Sequence, residues 1–279
     1  MKTILIPTDF SEQSINAIDA GFQLAEISGA EMILLNVIEI GKGYFDASGE
    51  QIEPGEDEHD FIIQAKKRIK IKLDELCTQH EGVSASTAVK IGNTYANITK
   101  MIEDHQVDLV IMGSKGASGI KELLIGSNTE KIVRYTKAPV LTIKDRVDLS
   151  AIENIVLAID PRDKFGDALS GIKEFQSILN AKLHVLKINT LGLWRESKEI
   201  NKELKAFAED NNLTNYTLNI YDAQTPEDGI LSFSAELDAD IISLFSHSQL
   251  GLGRIINGSL AEDMVNHAKR PILTFNLSD

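Results

Sequence analysis

The sequence predicts an α/β protein that consists of two tandem copies of one parallel-sheet domain. The chain has 279 residues, which corresponds to two domains of about 150 residues each. Its second half repeats the first, because Gly126–Ile143 resembles Gly258–Phe275 at an offset of 132 residues and Ile4–Asp9 resembles Ile155–Asp160 at an offset of 151. In each copy, short apolar runs alternate with amphipathic stretches, which is typical of a parallel sheet with helices on both faces.

The elements of the first copy follow from hydrophobic periodicity. Apolar or alternating runs predict five strands at Thr3–Ile6, Glu31–Val37, Ser84–Ile91, Leu109–Met112 and Val140–Ile143. Apolar residues at helical spacing predict four helices between them: one capped by Ser11, a long one over Phe61–His80, and two over Asn93–His105 and Ser127–Tyr135. Pro139 precedes the fifth strand, where a missing N–H is tolerated.

The second copy repeats these elements, with strands near residues 155–159, 182–188, 217–221, 240–245 and 272–275. We therefore predict domains at residues 1–146 and 151–279, joined by a short polar linker. The second copy is 19 residues shorter, and we assign the difference to the stretch Gly41–Asp60, which holds seven acids and one lysine. This stretch is either a solvated loop or a mobile flap near the site. Cys77 and Trp194 are expected to pack in the core, Trp194 at least partly buried.

Composition restricts the partners. The chain carries 28 basic and 42 acidic residues, for a net charge of −14. Nucleic acids and anionic membranes both need a basic face, so neither is expected as a main partner. The apolar runs are too short for a membrane helix, which needs about 18 residues, and no signal peptide is expected. A single cysteine excludes an internal disulfide and fits a reducing cytoplasm, which is the location we predict.

A glycine-rich segment of the first copy contains the residues of a candidate anion-binding site. Gly113 and Gly116 follow the predicted fourth strand, and Gly126 and Ser127 open the next helix. A helix N-terminus has unpaired N–H groups and a partial positive charge, and glycine lets backbone N–H groups approach a phosphate. Each glycine alone could be an ordinary turn residue, but the full spacing after a strand favours an anion site. Ser127 is expected to cap the helix and donate to phosphate, and Asn128 to offer another N–H.

The pattern Gly-x2-Gly-x9-Gly-Ser over residues 113–127 resembles the ATP-binding signature of the universal stress protein family. Ile4–Ser11 resembles the family's first strand and turn, and Lys137–Ile143 its last strand. The resemblance covers nearly the whole chain, as two tandem family domains. It implies a flavodoxin-like (adenine nucleotide alpha hydrolase-like) fold for each domain, with strand order 3-2-1-4-5 and ATP or AMP across the ends of strands one and four.

In that strand order the switch point lies between strands one and four, where open α/β sheets bind ligands. Asp9 would then accept a hydrogen bond from ribose or adenine, unless it only starts the helix beside Ser11. Val37 resembles the family residue whose backbone meets adenine, and Lys115 either neutralises phosphate or is a solvated loop residue. The ligand is expected to be ATP, or AMP or ADP, with Mg²⁺. The candidate binding residues are Pro7, Thr8, Asp9, Val37, Met112, Gly113, Gly116, Gly126, Ser127 and Asn128.

The second copy departs from this pattern. Phe245 stands where the first copy has Gly113, and Ser248 where it has Gly116. Arg162 follows Asp160 and Pro161, where the first copy has Phe10 and Ser11 in the turn. We expect the Phe245 side chain to occupy ligand space, and the second copy to be a degenerate site kept for folding and pairing. Binding of another ligand there stays open.

Enzymatic signatures are missing from the sequence: it has no Gly-x4-Gly-Lys-[Ser/Thr] loop, no Gly-x-Ser-x-Gly elbow and no metal-binding spacing of histidines. The predicted function is therefore a nucleotide-binding regulator in the stress response, acting on an unknown protein partner, with no catalytic residue. The alternatives are a slow ATP-hydrolysing enzyme, an enzyme acting on an adenylated substrate, and a nucleotide-free scaffold. We expect the copies to pair through their fifth strands as an intramolecular pseudo-dimer, because an apolar edge strand must be covered. Further association of whole chains stays open.

Overall fold

The computed structural model describes residues 1–39, 56–80, 82–114, 125–247 and 258–277. Three predicted loop features lie outside these residues: most of the acidic stretch Gly41–Asp60, the Lys115–Gly116 part of the glycine-rich segment, and Ser248. Everything stated below refers to the described part of the chain.

The first half contains five strands and four helices in alternating order. The strands are β1 (Thr3–Pro7), β2 (Glu31–Ile38), β3 (Ala85–Ile91), β4 (Leu109–Gly113) and β5 (Val140–Ile143). The helices are α1 (Glu12–Ser28), α2 (Glu56–Thr78), α3 (Thr94–Asp104) and α4 (Ser127–Tyr135). All nine elements were predicted, with boundaries that differ by a few residues at most.

The second half repeats this order. Its strands are β6 (Asn154–Ala158), β7 (Lys182–Thr190), β8 (Tyr216–Ala223), β9 (Ile241–His247) and β10 (Ile272–Leu277). Its helices are α5 (Ala168–Leu179), α6 (Ser197–Asp210), α7 (Pro226–Glu236) and α8 (Gly258–His267). In the described residues, none of the helices combines the length and the apolar character needed to cross a lipid bilayer.

All ten strands form one sheet in the order β3-β2-β1-β4-β5-β10-β9-β6-β7-β8. Within each half the neighbouring strands are parallel, and β1 lies between β2 and β4. The halves join where β5 pairs antiparallel with β10, with Leu141 directly opposite Leu273. The predicted pairing of the fifth strands is therefore confirmed, and neither apolar edge is left open to solvent.

The sheet separates two apolar layers. Successive strand residues point to opposite faces, so Ile4 packs on one side and Leu5 on the other. The first layer holds residues of α1, α2, α5 and α6, among them Phe22, Leu73, Phe175 and Leu204. The second layer holds residues of α3, α4, α7 and α8, among them Ile98, Ile132, Ile230 and Met264. Helices thus cover both faces, as expected for parallel strands connected by crossovers.

The two ends of α1 follow from local sequence signals, of which the predicted cap Ser11 is one. Ser11 is its N-cap, and the Ser11 side chain accepts a hydrogen bond from the Ser14 N–H. The helix ends at Gly29, whose φ of 72° is in the left-handed region that glycine adopts without strain. On the long α2 helix, Leu73 is fully buried and Cys77 packs beside it against the same layer. Burial raises the pKa of the Cys77 thiol, as expected for a packing residue.

The prediction for Trp194 is wrong. A short turn, Leu191–Leu193, follows β7, and none of its residues is buried. Leu191 is 82% exposed and Trp194 62% exposed. The turn extends beyond the carboxyl end of β7, where no described helix covers it, so a large apolar side chain remains in solvent.

Candidate functional site

A cavity of about 320 Å³ opens between the carboxyl ends of β1 and β4, at the point where the strand order reverses. The described residues that line it include nine of the ten predicted from the sequence: Pro7, Thr8, Asp9, Val37, Met112, Gly113, Gly126, Ser127 and Asn128. The tenth, Gly116, lies outside the described residues. These nine come from four separate segments, and parallel strands bring the segments together because their carboxyl ends share one edge of the sheet.

One part of the cavity is apolar. Leu35, Val37, Ile98 and Met112 line it, and Leu35 pairs in the sheet with Pro7 at the end of β1. Leu35 and Ile98 were missed by sequence reasoning. Leu35 could have been found, because it precedes Val37 by two residues and therefore points to the same face of β2. Ile98 reaches the cavity only because α3 packs over the sheet.

Another part of the cavity is the N-terminus of α4. The cap position is Gly126, which supplies no side-chain hydrogen bond, and Ser127 is the first helical residue rather than the predicted cap. The N–H groups of the first turn are therefore not satisfied by a capping side chain and remain suited to an anion. Two hydrogen bonds fix this turn against β4: Gly126 N–H donates to the Ser114 carbonyl at 2.8 Å, and Thr129 Oγ1 to the Gly113 carbonyl at 2.9 Å.

Asp9, just after the end of β1, also lines the cavity. Its side chain is exposed, and its Oδ1 accepts a hydrogen bond from the Ser11 N–H at 3.0 Å. Asp9 therefore supports the start of α1, as one interpretation predicted, and it also lines the cavity, while its hydrogen bond to ribose or adenine stays a prediction. The next residue, Phe10, has a φ of 63°, a left-handed conformation that is strained for a bulky side chain. A buried hydrogen bond also fixes the turn after β1, because Asn36 Nδ2 donates to the Thr8 carbonyl at 2.7 Å.

Glycine at position 113 has a packing role in addition to the predicted one of giving a ligand access to the backbone. A Cβ at this position would lie 2.9 Å from the backbone carbon of Gln13 and 3.0 Å from the Ser14 nitrogen. The missing side chain thus allows the first turn of α1 to approach the end of β4. The sequence prediction, which offered phosphate approach or an ordinary turn as the reason for Gly113, did not include this contact.

The remaining lining residues were not predicted: Ser14, Glu39, Thr94 and Thr129. None of the described lining residues is Lys or Arg, so positive potential in the described part of the cavity comes from backbone N–H groups, among them those at the N-terminus of α4. Within the same part of the chain, no group of three or more His, Cys, Asp or Glu side chains is arranged to hold a metal ion.

The equivalent position in the second half is different. Asp160, 151 residues after Asp9, is 1% exposed and lies 3.0 Å from Lys187 Nζ and 2.7 Å from Arg162 Nη2. Lys187 is itself buried and stands where the first half has Asn36. Burial alone would raise the pKa of the Asp160 carboxyl, but the hydrogen bonds and charges of Arg162 and Lys187 outweigh it and hold that pKa well below its usual value. The carboxylate is thus bound by side chains of its own domain.

The sequence prediction for Phe245 is wrong, because its side chain does not occupy ligand space. It is 1% exposed and packs in the first apolar layer, with ring centroids 4.6 Å from Phe165 and 5.6 Å from Phe275. Its neighbour Leu244, the counterpart of Met112, points to the second layer instead. Because side chains alternate along β9, residue 245 points to the layer that holds Phe165 and Phe275, and the side that corresponds to the cavity receives Leu244.

Comparison with known proteins agrees with this architecture. The sequence profile of the universal stress protein family matches residues 1–144 and again residues 151–276. Universal stress protein MJ0577 of Methanocaldococcus jannaschii is 31% identical over 156 residues, which are 51% of this chain and 94% of that protein. Universal stress protein YxiE of Bacillus subtilis is 30% identical over 148 residues, or 50% of this chain and 97% of that protein.

Among solved structures, the crystal structure of a universal stress protein from Archaeoglobus fulgidus superposes over 98% of both chains, with a TM-score of 0.75 and 21% identity. At this identity the likeness concerns the fold alone, and it extends across both halves. Two matches to one family profile, together with relatives that each align with about half of the chain, establish the organisation. The chain therefore belongs to the universal stress protein family and contains two tandem flavodoxin-like domains of that family.

Proposed function

We propose that the chain is a cytoplasmic regulator that binds one adenine nucleotide, in the cavity of its N-terminal domain. The observation that carries this proposal is the convergence of nine sequence-predicted residues on one cavity next to an uncapped helix N-terminus. A volume of about 320 Å³ is at the lower end of the range for small-molecule pockets, about 300–1,000 Å³, and suits a mononucleotide.

The chemistry of the lining supports one orientation of the nucleotide. The base would pack against the apolar part formed by Leu35, Val37, Ile98 and Met112, where few polar groups compete. The phosphates would lie against the first turn of α4, whose N–H groups favour negative charge. Asp9 lines the same cavity and would accept hydrogen bonds from the ribose hydroxyls, as an exposed carboxylate can.

One site per chain follows from the contrast between the domains. In the C-terminal domain the counterpart of Asp9 is neutralised by Lys187 and Arg162 and is 1% exposed. A ribose would have to replace two charged hydrogen-bond partners, which a neutral sugar cannot do without a large desolvation cost. We therefore propose that this domain has kept the fold and its pairing role but has lost the nucleotide site.

Titration calorimetry with ATP, ADP and AMP tests the proposal. Cyclic AMP is titrated in parallel, because one universal stress protein has been solved in complex with it. Gly126→Val should prevent measurable binding by placing a branched side chain at the N-terminus of α4, whereas Gly258→Val, its counterpart at the start of α8, should leave affinity unchanged. Circular dichroism melting shows whether each variant is folded.

The expected result is saturable binding with a stoichiometry of one. Equal loss of affinity in both glycine variants, or two equivalent sites, would contradict the one-site proposal. No binding of any adenine nucleotide would favour the scaffold alternative. Release of phosphate over many turnovers from bound ATP would favour the slow hydrolase instead.

A further inference from the structure

The C-terminal domain contacts the helix on which the proposed phosphate site is built. Antiparallel pairing of β5 with β10 places α4 of the first domain beside α8 of the second. Arg134 on α4 donates to Glu262 on α8, with Nη1 and Oε1 3.2 Å apart, and both side chains are partly shielded from solvent. The position of α4 is therefore set partly by residues of the other domain.

One contact reaches the start of that helix. The backbone N–H of Ile125 donates to Oδ1 of Asn266, at the end of α8, and both residues are half-buried. Ile125 immediately precedes Gly126, which opens the cavity's helix N-terminus. The backbone N–H can only donate, so Asn266 must present its oxygen rather than its amide nitrogen. An acceptor from the C-terminal domain thus fixes the chain at the point where it enters α4.

Asn266 is itself held in place by the first domain. Its backbone carbonyl accepts a hydrogen bond from Lys144 Nζ at 2.6 Å, and the same ammonium binds the Ala268 carbonyl at 2.7 Å. A lysine that binds the last carbonyls of a helix also interacts favourably with its dipole. The end of α8 therefore cannot move away from the first domain without breaking charged hydrogen bonds.

The opposite end of α4 is fixed in the same manner. Asn276, 132 residues after Lys144 and thus its counterpart, donates from Nδ2 to the carbonyls of Val133 and Thr136 at 2.9 and 2.6 Å. Each domain thus caps the last helix of the other. With Asn266 at one end and Asn276 at the other, the C-terminal domain holds α4 at both ends.

The side chain that corresponds to Asn266 in the first domain cannot make the same contact. The residue that corresponds to Asn266 in the first domain is Arg134, 132 positions earlier. An arginine side chain has five donors and no acceptor, so it cannot receive a hydrogen bond from a backbone N–H. The repeat is therefore asymmetric at the position where the first domain has its proposed site.

From this geometry we propose that Asn266 is a positioning residue through which the C-terminal domain orders the phosphate-binding turn of the N-terminal domain. This inference rests on the proposed nucleotide site. It gives the C-terminal domain a function that does not need a nucleotide of its own: it keeps the first turn of α4 in the conformation that receives phosphate. A partner that pulled α8 away from α4 would lower nucleotide affinity, which is a route for regulation between the domains.

Two measurements on the full-length chain test the proposal. Hydrogen exchange resolved at the Ile125 amide, without nucleotide, reports the contact directly, and calorimetry with ATP reports its effect on binding. Asn266→Ala removes the acceptor and should increase the exchange rate of Ile125 and weaken ATP affinity about fivefold, the effect of one hydrogen bond. Asn266→Asp retains an acceptor and should keep Ile125 protected. Lys269→Met, an exposed position just beyond α8, is the control and should change neither value.

The outcomes separate this inference from the proposed function. If wild-type protein binds no nucleotide, the proposed function fails and the coupling to binding fails with it, while Ile125 exchange still reports the contact by itself. If ATP binds but Asn266→Ala leaves affinity unchanged, the positioning role is wrong and the proposed function stands. Unchanged exchange at Ile125 in Asn266→Ala would show that the contact does not order the turn. Should the alanine variant fail to fold, Asn266→Leu removes the same acceptor and keeps more of the packing.

Discussion

Asp9 and Asp160 stand at equivalent positions after the first strands of the two domains, 151 residues apart, yet Asp9 is exposed whereas Asp160 is 1% exposed and lies 3.0 Å from Lys187. A carboxylate at the equivalent position therefore lines a cavity in one domain and binds a buried lysine in the other. Substitution of the two residues by the same amide should separate these roles.

Asp160→Asn should destabilise the protein by about 3–5 kcal/mol, because it leaves the buried Lys187 ammonium without its counter-charge. Burial already lowers the pKa of Lys187, and Asp160 is the group that opposes this shift most strongly. Urea unfolding measures the loss, and ATP affinity should stay unchanged. The matched variant Asp9→Asn should cost less than about 1 kcal/mol and weaken ATP binding about fivefold. Equal losses of stability at the two positions would contradict this assignment.

The stability that Asp160 provides should depend on pH. Its folded-state pKa is held below the value of an unfolded aspartate, so its contribution is complete above about pH 4 and is lost as the pH falls further. The difference in unfolding free energy between wild type and Asp160→Asn should therefore be constant near neutrality and shrink on acidification. Urea titrations at a series of pH values check this, and a difference that persists unchanged down to pH 2 would contradict it.

Gly113→Ala should destabilise the first domain by about 1–3 kcal/mol, because the added Cβ would lie 2.9 Å from the Gln13 backbone and displace the start of α1. The matched control is Gly192→Ala, where a Cβ meets nothing within 4 Å and φ is not in the left-handed region. That variant should stay within about 0.5 kcal/mol of wild type. If both variants melt like wild type, close packing of α1 against β4 is not the reason for glycine at position 113.

The seam between the domains should depend on Leu141 and Leu273, which face each other across the antiparallel pair and are both fully buried. Replacing both by Asp buries two carboxylates in an apolar layer, which should cost several kcal/mol and separate the halves or cause aggregation. The double Met variant retains apolar volume and is the control. Melting temperature and solution scattering report the result. A double Asp variant as stable and compact as wild type would require a different seam.

Trp194 is the single tryptophan and is 62% exposed, so its fluorescence in the native protein should be quenched readily by acrylamide. The quenching constant should rise only slightly when the chain is unfolded in urea. A large rise on unfolding would show that the side chain is shielded in the folded protein.

The sequence by itself determined the two-domain repeat, the order of strands and helices and nine of the residues that line the cavity. It could do so because these properties are encoded locally, in hydrophobic periodicity, caps and the residues that end each strand. Pro7 and Met112 are examples, since each follows or ends an apolar run, whereas Val37 was named from the family resemblance. Once the strands are parallel and adjacent, their carboxyl ends must meet at one edge of the sheet.

The tertiary structure decided which partner each side chain meets across the fold. Nothing near Asp160 in the chain shows that Lys187, on a neighbouring strand, neutralises it. The ring contact of Phe245 with Phe165 joins two distant segments that local patterns do not relate, and the exposure of Trp194 depends on the absence of a covering helix among the described residues. The contact between Asn266 and Ile125 joins residues 141 positions apart. Such contacts arise from packing between elements, which local sequence patterns do not encode.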